Sequence, residues 1–558
     1  MKLSEAPRLI LLTLLSVSLF MLGENWYQQY WPKSEPTATG QHAPSTGDMA
    51  PIPESAGSGV SAAGNPQTGV ATAGPVQSAA SSTYIVETDV IRAEISSIGG
   101  DLRKVELLRH RDTIDVDRNF LLMDSSADHT LIAQTGLTGP GLPNHKSTFT
   151  SSTPKVVMAS GDETVKLVLT SVDTDKPRLT KVFTFTREQY RIDVAQTIDN
   201  TGSIALSPFA YFQLVRDDKS PAGDSRWVPT FNGVAQYTEQ EKYKKMSFAD
   251  IGKGKPVPVK TSQDGWIGMV QHYFVSAWLP PAGAPKEFFV RSLGGGLFSA
   301  GVIVPVGRVE PGKSVTWSVP LYVGPQEQKK LASLAPGLDL TVDYGWLTII
   351  AAPLFWVLSA IHSFAGNWGV SIIIVTVLIK LLFFPLSAAS YKSMAKMRLM
   401  APKLQKLKEL HGDDKPRLHQ AMMELYKTEK INPLGGCLPI VVQIPVFISL
   451  YWVLLGTVEM RHAPFMLWVQ DLSRPDPFYV LPILMGLSMI IQSRLNPEPP
   501  DPIQAKVMKI MPIAFSVFFF FFPAGLVLYW VINNILSIAQ QWTITRQLER
   551  AGLGAAKR

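Results

Sequence analysis

The sequence predicts a multi-domain protein: a large all-β domain joined to an α-helical polytopic membrane domain, with six transmembrane helices in all. Two observations carry this. Period-two alternation with frequent Gly, Pro, Asn and Asp punctuation fills Thr83 to about Gly324, and the last third strings together apolar segments near bilayer length. The overall 46% hydrophobic and 17% charged content of the 558 residues averages a polar half with a very apolar one. The net charge of +7 is likewise a sum over loops, so it bears on membrane orientation rather than on nucleic acid. The single cysteine, Cys437, excludes a disulfide framework within the chain and a Cys-based zinc site.

Residues 1–31 read as an N-terminal transmembrane anchor. Leu9 to Leu22 is apolar, with Lys2 and Arg8 before it and Trp26, Tyr27, Tyr30 and Trp31 after it. A secretory signal peptide has a similar charged start, but no small-x-small cleavage site follows and the aromatic cluster resembles an interfacial belt. Residues 32–82, rich in Pro, Gly, Ser, Thr and Ala, cannot bury a core and form a flexible linker. Residues 83–343 form the β-sandwich domain, one face marked by Val315, Trp317, Val319, Leu321 and Val323 and another by Tyr190, Ile192, Val194 and Ile198. Phe183 and Phe185 flank Thr184 in the same way.

Apolar segments then run approximately over 345–361, 368–386, 437–458, 478–492, 508–522 and 525–545. Orientation decides which of them cross. If both of the first two did, the loop 387–432 would be exported with the β-domain. That loop holds ten Lys/Arg against five acids, which the positive-inside rule disfavours. Pro353 interrupts the first segment, and the link His362 to Asn367 has no Lys or Arg. Residues 344–363 are therefore expected to lie along the outer interface as an amphipathic helix. The membrane core is 364–545, with a cytoplasmic helical hairpin at 387–432 and a basic cytoplasmic tail at 546–558.

Lys380 is the expensive residue, a charge about six residues, or roughly 9 Å of helix, from the inner end of an apolar span. Its position fits two readings equally: snorkelling to the headgroups, or facing a wet cavity. Thr376 lies one turn away, and Gln443, Ser449, Ser488, Gln492, Asn533, Asn534, Gln540 and Gln541 dot the other spans. Convergence with Lys380 would line a polar cavity in the inner half of the membrane; for any single Ser or Gln, ordinary helix–helix packing is the better reading. In the hairpin, Met394, Met397 and Met400 recur at helical spacing with Leu404 and Leu407. Met422 and Met423 sit in a second helix with Leu418, Leu425 and Tyr426, which Asp413 or Asp414 can cap. These methionines either pack the hairpin or offer an adaptable surface to varied apolar segments.

No Walker loop, HExxH, GxSxG or pair of intramembrane carboxylates is present, and His110, His129, His145 and His272 lack metal-ligand spacing. The chain is read as a non-enzyme with no cofactor, no metal and no nucleic-acid substrate. Two competing readings stand beside it: a secondary transporter or channel using Lys380 as its substrate site, and a membrane-tethered sugar-processing β-domain.

Specific stretches resemble one family. They are Gly366-Asn-Trp-Gly with Ser371-Ile-Ile-Ile, Ser393-Met-Ala-Lys-Met-Arg, Ile431-Asn-Pro-Leu-Gly-Gly-Cys-Leu-Pro and Gln443-Ile-Pro-Val-Phe. Ala463-Pro-Phe-Met-Leu-Trp, Asp471-Leu-Ser, Leu481-Pro-Ile-Leu-Met-Gly and Phe522-Pro-Ala-Gly-Leu-Val-Leu-Tyr-Trp follow in order. Over about 345–545 the chain resembles the YidC/Oxa/Alb family of membrane insertases; the anchor and β-domain resemble its Gram-negative branch. The resemblance implies a multi-pass protein of the bacterial inner membrane with both termini cytoplasmic and a periplasmic β-supersandwich similar to sugar mutarotases. It implies insertion and folding of nascent membrane proteins, alone or beside the Sec translocon, through a hydrophilic groove open to cytoplasm and lipid. Lys380 matches the groove's positive residue, commonly Arg in the family; Thr376, Tyr529 and Trp530 match positions lining the substrate slide, with Gln443 and Asn533 nearby. The hairpin matches the family's cytoplasmic loop. The implied partners are nascent membrane proteins, Sec components and lipid; a ribosome contact is the weakest, because the tail after Arg546 is short.

Overall fold

The computed structural model describes residues 82–126, 129–173, 176–221, 230–412, 414–429, 438–495, 502–548 and 550. The expected anchor, the linker up to Ser81, Asp413, Cys437 and the tail beyond Leu548 save Arg550 lie outside these residues.

Among the described residues, alternation along the chain becomes two sheets, one of ten strands and one of nine, packed face to face. Strand Arg191–Asp199 pairs antiparallel with Ser314–Pro325 on one side and Arg178–Thr186 on the other. Its register sets Ile192 opposite Leu321 and Phe185, and Val194 opposite Val319 and Phe183. All six are buried, so the faces marked in the sequence meet the same core. Val315 and Trp317, nearer the start of their strand, are only partly covered. Truncating Leu321, which has no exposed surface, removes about 2–5 kcal/mol of stabilisation.

The core changes hands between Leu338 and Val342. Leu338 packs with the β-domain, whereas Val342 and Tyr344 pack with the helices. Among the described residues two short helices, α1 (Phe248–Gly252) and α2 (Gln328–Leu334), belong to the β-domain, and nine more follow. These are α3 (Thr348–Ala365), α4 (Trp368–Leu382), α5 (Phe384–Leu399), α6 (Ala401–His411), α7 (Lys415–Thr428), α8 (Leu438–Gly456), α9 (Val480–Leu495), α10 (Pro502–Phe518) and α11 (Ala524–Leu548).

The run Gly366-Asn-Trp-Gly shows how residues become joints. Gly366 closes α3 at φ 64°, a left-handed conformation that favours glycine. Asn367 starts α4 by accepting from the Val370 amide at 3.0 Å, and its amide group donates to the Phe465 carbonyl at 2.8 Å. Trp368 stacks on His362 across the break, ring centroids 3.9 Å apart. A Cβ on Gly369 would sit 2.1 Å from the Phe465 ring, so only glycine allows that approach.

The expected span 368–386 is broken. Helix α4 stops at Leu382, and α5 leaves it at 66°. Pro385 explains the break, since it lacks an N–H and biases the preceding residue away from helix. Expected as a helix from Met394 to His411, the first arm of the hairpin is divided between α5 and α6. Among the described helices, Thr348–Ala365 alone is by itself long and apolar enough to cross a bilayer, and α4 with the start of α5 qualifies as a bent pair. Helix α9, at 16 residues, spans about 24 Å against a ~30 Å hydrocarbon core. Helix lengths therefore do not by themselves give six spans.

A candidate polar groove between the helices

Helices α4, α5, α8, α9 and α11 enclose a cavity of about 240 Å³. Lys380 lines it, only 8% exposed, and donates from Nζ to Ser537 Oγ at 2.7 Å. Ser537 in turn donates to the Asn533 carbonyl at 2.7 Å, one turn back along α11. With its one proton committed there, the Ser537 oxygen is left to accept from the ammonium. Tyr391 of α5 lines the same cavity as Ser537, so three helices meet around the charge.

Tyr529, Asn533 and Ser537 share a face of α11 at four-residue spacing, and Trp530 and Asn534 form the adjacent stripe. From α8, Gln443 and Phe447 complete the wall. Phe447 lies edge-on to Trp530, ring centroids 4.6 Å apart, so the cavity has one aromatic side and one polar side. The Gln443 Nε2 and Trp530 Nε1 donors are buried without a partner. Among the described residues no acidic side chain lines the cavity. A buried cation beside unpaired donors suits a guest that brings acceptors, such as a carboxylate or backbone carbonyls. Toward the β-domain, Ile372, Val375, Leu450, Val453, Leu526 and Val527 close the space with a dry core.

Five of the six groove residues read from the sequence converge here: Lys380, Gln443, Tyr529, Trp530 and Asn533. Thr376 does not. It is fully buried, and its hydroxyl donates to the Ile372 carbonyl of its own helix at 2.6 Å. Met394, expected on the hairpin, lines the cavity because the bend at Phe383 folds the start of α5 back over it. Met397, Met400, Met422 and Met423 are half-buried and outside the cavity. The hairpin itself is the pair α6–α7, tied by Lys403 to Glu429 at 2.6 Å, with Asp414 capping α7.

Ser387, Ser390, Tyr391 and Ser537 were missed. Ser387, Ser390, Tyr391 and Met394 recur at i, i+3, i+4 and i+7, a readable helical stripe, but its place inside the groove depends on the bend. Gln492 and Asn534 do line the cavity. Ser488 instead accepts from Asn534 Nδ2 at 3.0 Å, and Gln541 donates to the Leu495 carbonyl at 3.1 Å, the packing role. Among the described residues no group of His, Cys, Asp and Glu could hold a metal ion.

Residues 83–357 match the family described as the YidC periplasmic domain, and residues 360–551 match the 60Kd inner membrane protein family. The membrane protein insertase YidC of Methylobacillus flagellatus is 55% identical over 549 residues, covering 98% of both chains. That of Aromatoleum aromaticum is 54% identical over 555 residues, covering 99% of both. This chain belongs to the YidC family of membrane protein insertases. A solved YidC insertase aligns over 82% of this chain and 92% of its own, with 16% identity and a TM-score of 0.39. The division between the two family matches, after residue 357, falls inside α3, about 15 residues after Val342, the first residue of the helical core.

Proposed function

We propose that this YidC-family chain inserts and folds nascent membrane proteins by offering their polar segments a wet, positive resting place partway across the bilayer. The observation that carries this is Lys380: a buried cation, with no acid lining its cavity among the described residues, beside two buried donors without a partner. A cargo's polar external segment must cross hydrocarbon, where each unsatisfied backbone group costs several kcal/mol. The cavity shortens the dry part of that path. Lys380 attracts acidic residues for the time it takes the cargo's apolar span to pass along Tyr529 and Trp530 into lipid. Short helices such as α9 favour a locally thinned bilayer, which lowers the barrier again. Partitioning of the apolar span supplies the free energy, and no nucleotide is consumed.

In this reading the β-domain is periplasmic, both termini are cytoplasmic and six helices cross, the first from the N-terminal anchor. Helix α3 lies along the outer interface, presenting Ile349, Trp356 and Phe364 to lipid. Helices α6 and α7 meet cargo in the cytoplasm, alone or beside the Sec translocon, with the ribosome near the basic tail. Photo-crosslinking tests the route. Probes at Tyr529 and Asn533 should trap the span of a stalled nascent chain, whereas one at the buried Thr376 should not. Adducts only at the outward-facing Ile535 and Trp542 would move the route to the other side of α11.

A further inference from the structure

The elbow joining α8 to α9 carries a second buried cation, outside the groove. Arg461 is 9% exposed, yet among the described residues no carboxylate forms an ion pair with it. Its partners belong to the β-domain instead. Nη2 donates to Thr113 Oγ1 at 2.9 Å, and the guanidinium carbon lies 5.0 Å from the Phe120 ring centroid and 5.5 Å from that of Phe274. Those two rings are stacked on each other at 4.1 Å. Burying a guanidinium against apolar rings is unfavourable unless other contacts replace its water; the two rings and the Thr113 bond replace part of it, while Nη1 is buried without a hydrogen-bond partner.

Two neighbouring contacts point the same way. Val458, from the short turn before Arg461, packs into the β-domain core rather than the helical one. His272, in the turn between two β-domain strands, lies 3.0 Å through Nε2 from the Leu455 carbonyl near the end of α8. Three successive points of the elbow thus seat on the domain, through a carbonyl, an apolar side chain and a cation. The inner part of the same α8 brings Gln443 and Phe447 to the groove.

We propose that Arg461 is a positioning residue that pins the β-domain to the outer elbow of α8 and α9, so that domain and groove helices move as one body. The pin holds whatever passes through the groove. The default for two domains joined by a modest interface is relative motion, and a buried, multiply engaged arginine opposes it.

Distances between spin labels in the full chain, reconstituted in nanodiscs, test the pin. Cys437→Ser removes the native thiol, and labels are placed at Lys313→Cys on the β-domain and Gln470→Cys on the outer loop, both exposed positions. The parent should give one narrow distance distribution. Arg461→Ala should roughly double its width, as expected for domains released from a fixed interface. Arg461→Lys should fall between, since a lysine keeps charge over the rings but loses the planar fork that also reaches Thr113. A folded Arg461→Ala protein with the parent's width would overturn the pin. Should the alanine variant fail to accumulate, the lysine variant decides: a wider distribution supports the pin, and an unchanged one rejects it.

Discussion

Reversing the charge at position 380 separates the electrostatic reading of the groove from a purely steric one. A cavity of about 240 Å³ keeps any guest carboxylate close to the ammonium. At ~6 Å and an effective dielectric of ~20, Coulomb's law gives an attraction of ~3 kcal/mol. Partial desolvation of both charges offsets part of that, leaving ~1–2 kcal/mol, or roughly 5- to 30-fold in occupancy. Lys380→Gln should therefore slow insertion of a cargo with an acidic external tail by that factor. Lys380→Glu should slow it further, because attraction becomes repulsion, while Lys380→Arg should retain most activity. The assay is insertion into proteoliposomes lacking Sec components, scored by protease protection, with paired cargoes whose tails differ only in Asp against Asn. The Asn cargo should be nearly indifferent to all three substitutions. If Lys380→Glu inserted the acidic cargo at the parental rate, positive potential would have no part in the mechanism.

Three other outcomes follow from named contacts. Ser537→Ala removes the oxygen that holds the Lys380 ammonium but leaves the charge in place, and should slow acidic-tail insertion by about 3- to 10-fold, the net worth of about one typical intramolecular hydrogen bond, with little further loss in a Lys380→Gln background. Gly369→Ala forces a Cβ into the Phe465 ring and should lower stability by about 1–3 kcal/mol, read as a lower melting temperature of the helical domain. Glu459, in the outer elbow, has its carboxyl pushed up by burial from 4.5 to about 7. The native state then holds that proton more tightly than the unfolded chain, so stability falls as pH rises from 4.5 to 7 and the full cost, about 3 kcal/mol, is present above it. Glu459→Gln should raise the melting temperature at pH 8 and leave it unchanged near pH 4.5. His110, which burial and the nearby Arg461 hold near 4, titrates with the opposite sign across the same range, and it cancels in that comparison because both proteins carry it.

Local periodicity made the β-domain legible. Ile192, Val194, Leu321 and Val323 alternate because one side of each strand is buried, and burial leaves that mark on the sequence directly. Pairing between strands more than a hundred residues apart leaves no local mark, so the ten- and nine-stranded order was not readable. The groove divides along the same line. Tyr529, Asn533 and Ser537 are one stripe of a single helix, which periodicity can group, yet Ser537 was passed over because one more serine in a span ordinarily packs against its own helix. Thr376 does pack that way, although its place one turn from Lys380 and the family resemblance both point to the groove. Spacing fixes which residues share a face but not which way the face turns. Here the turn is set by Pro385, which ends α4 just after the lysine and sends α5 back across the cavity at 66°. Had α4 run on to Leu386 as its apolar residues suggest, Lys380 would have stood in an unbroken span with Ser537 of α11 as its partner but no polar cover from α5. The bend instead supplies Ser387, Ser390 and Tyr391 as a polar cover, so a charge that could have snorkelled is held inside.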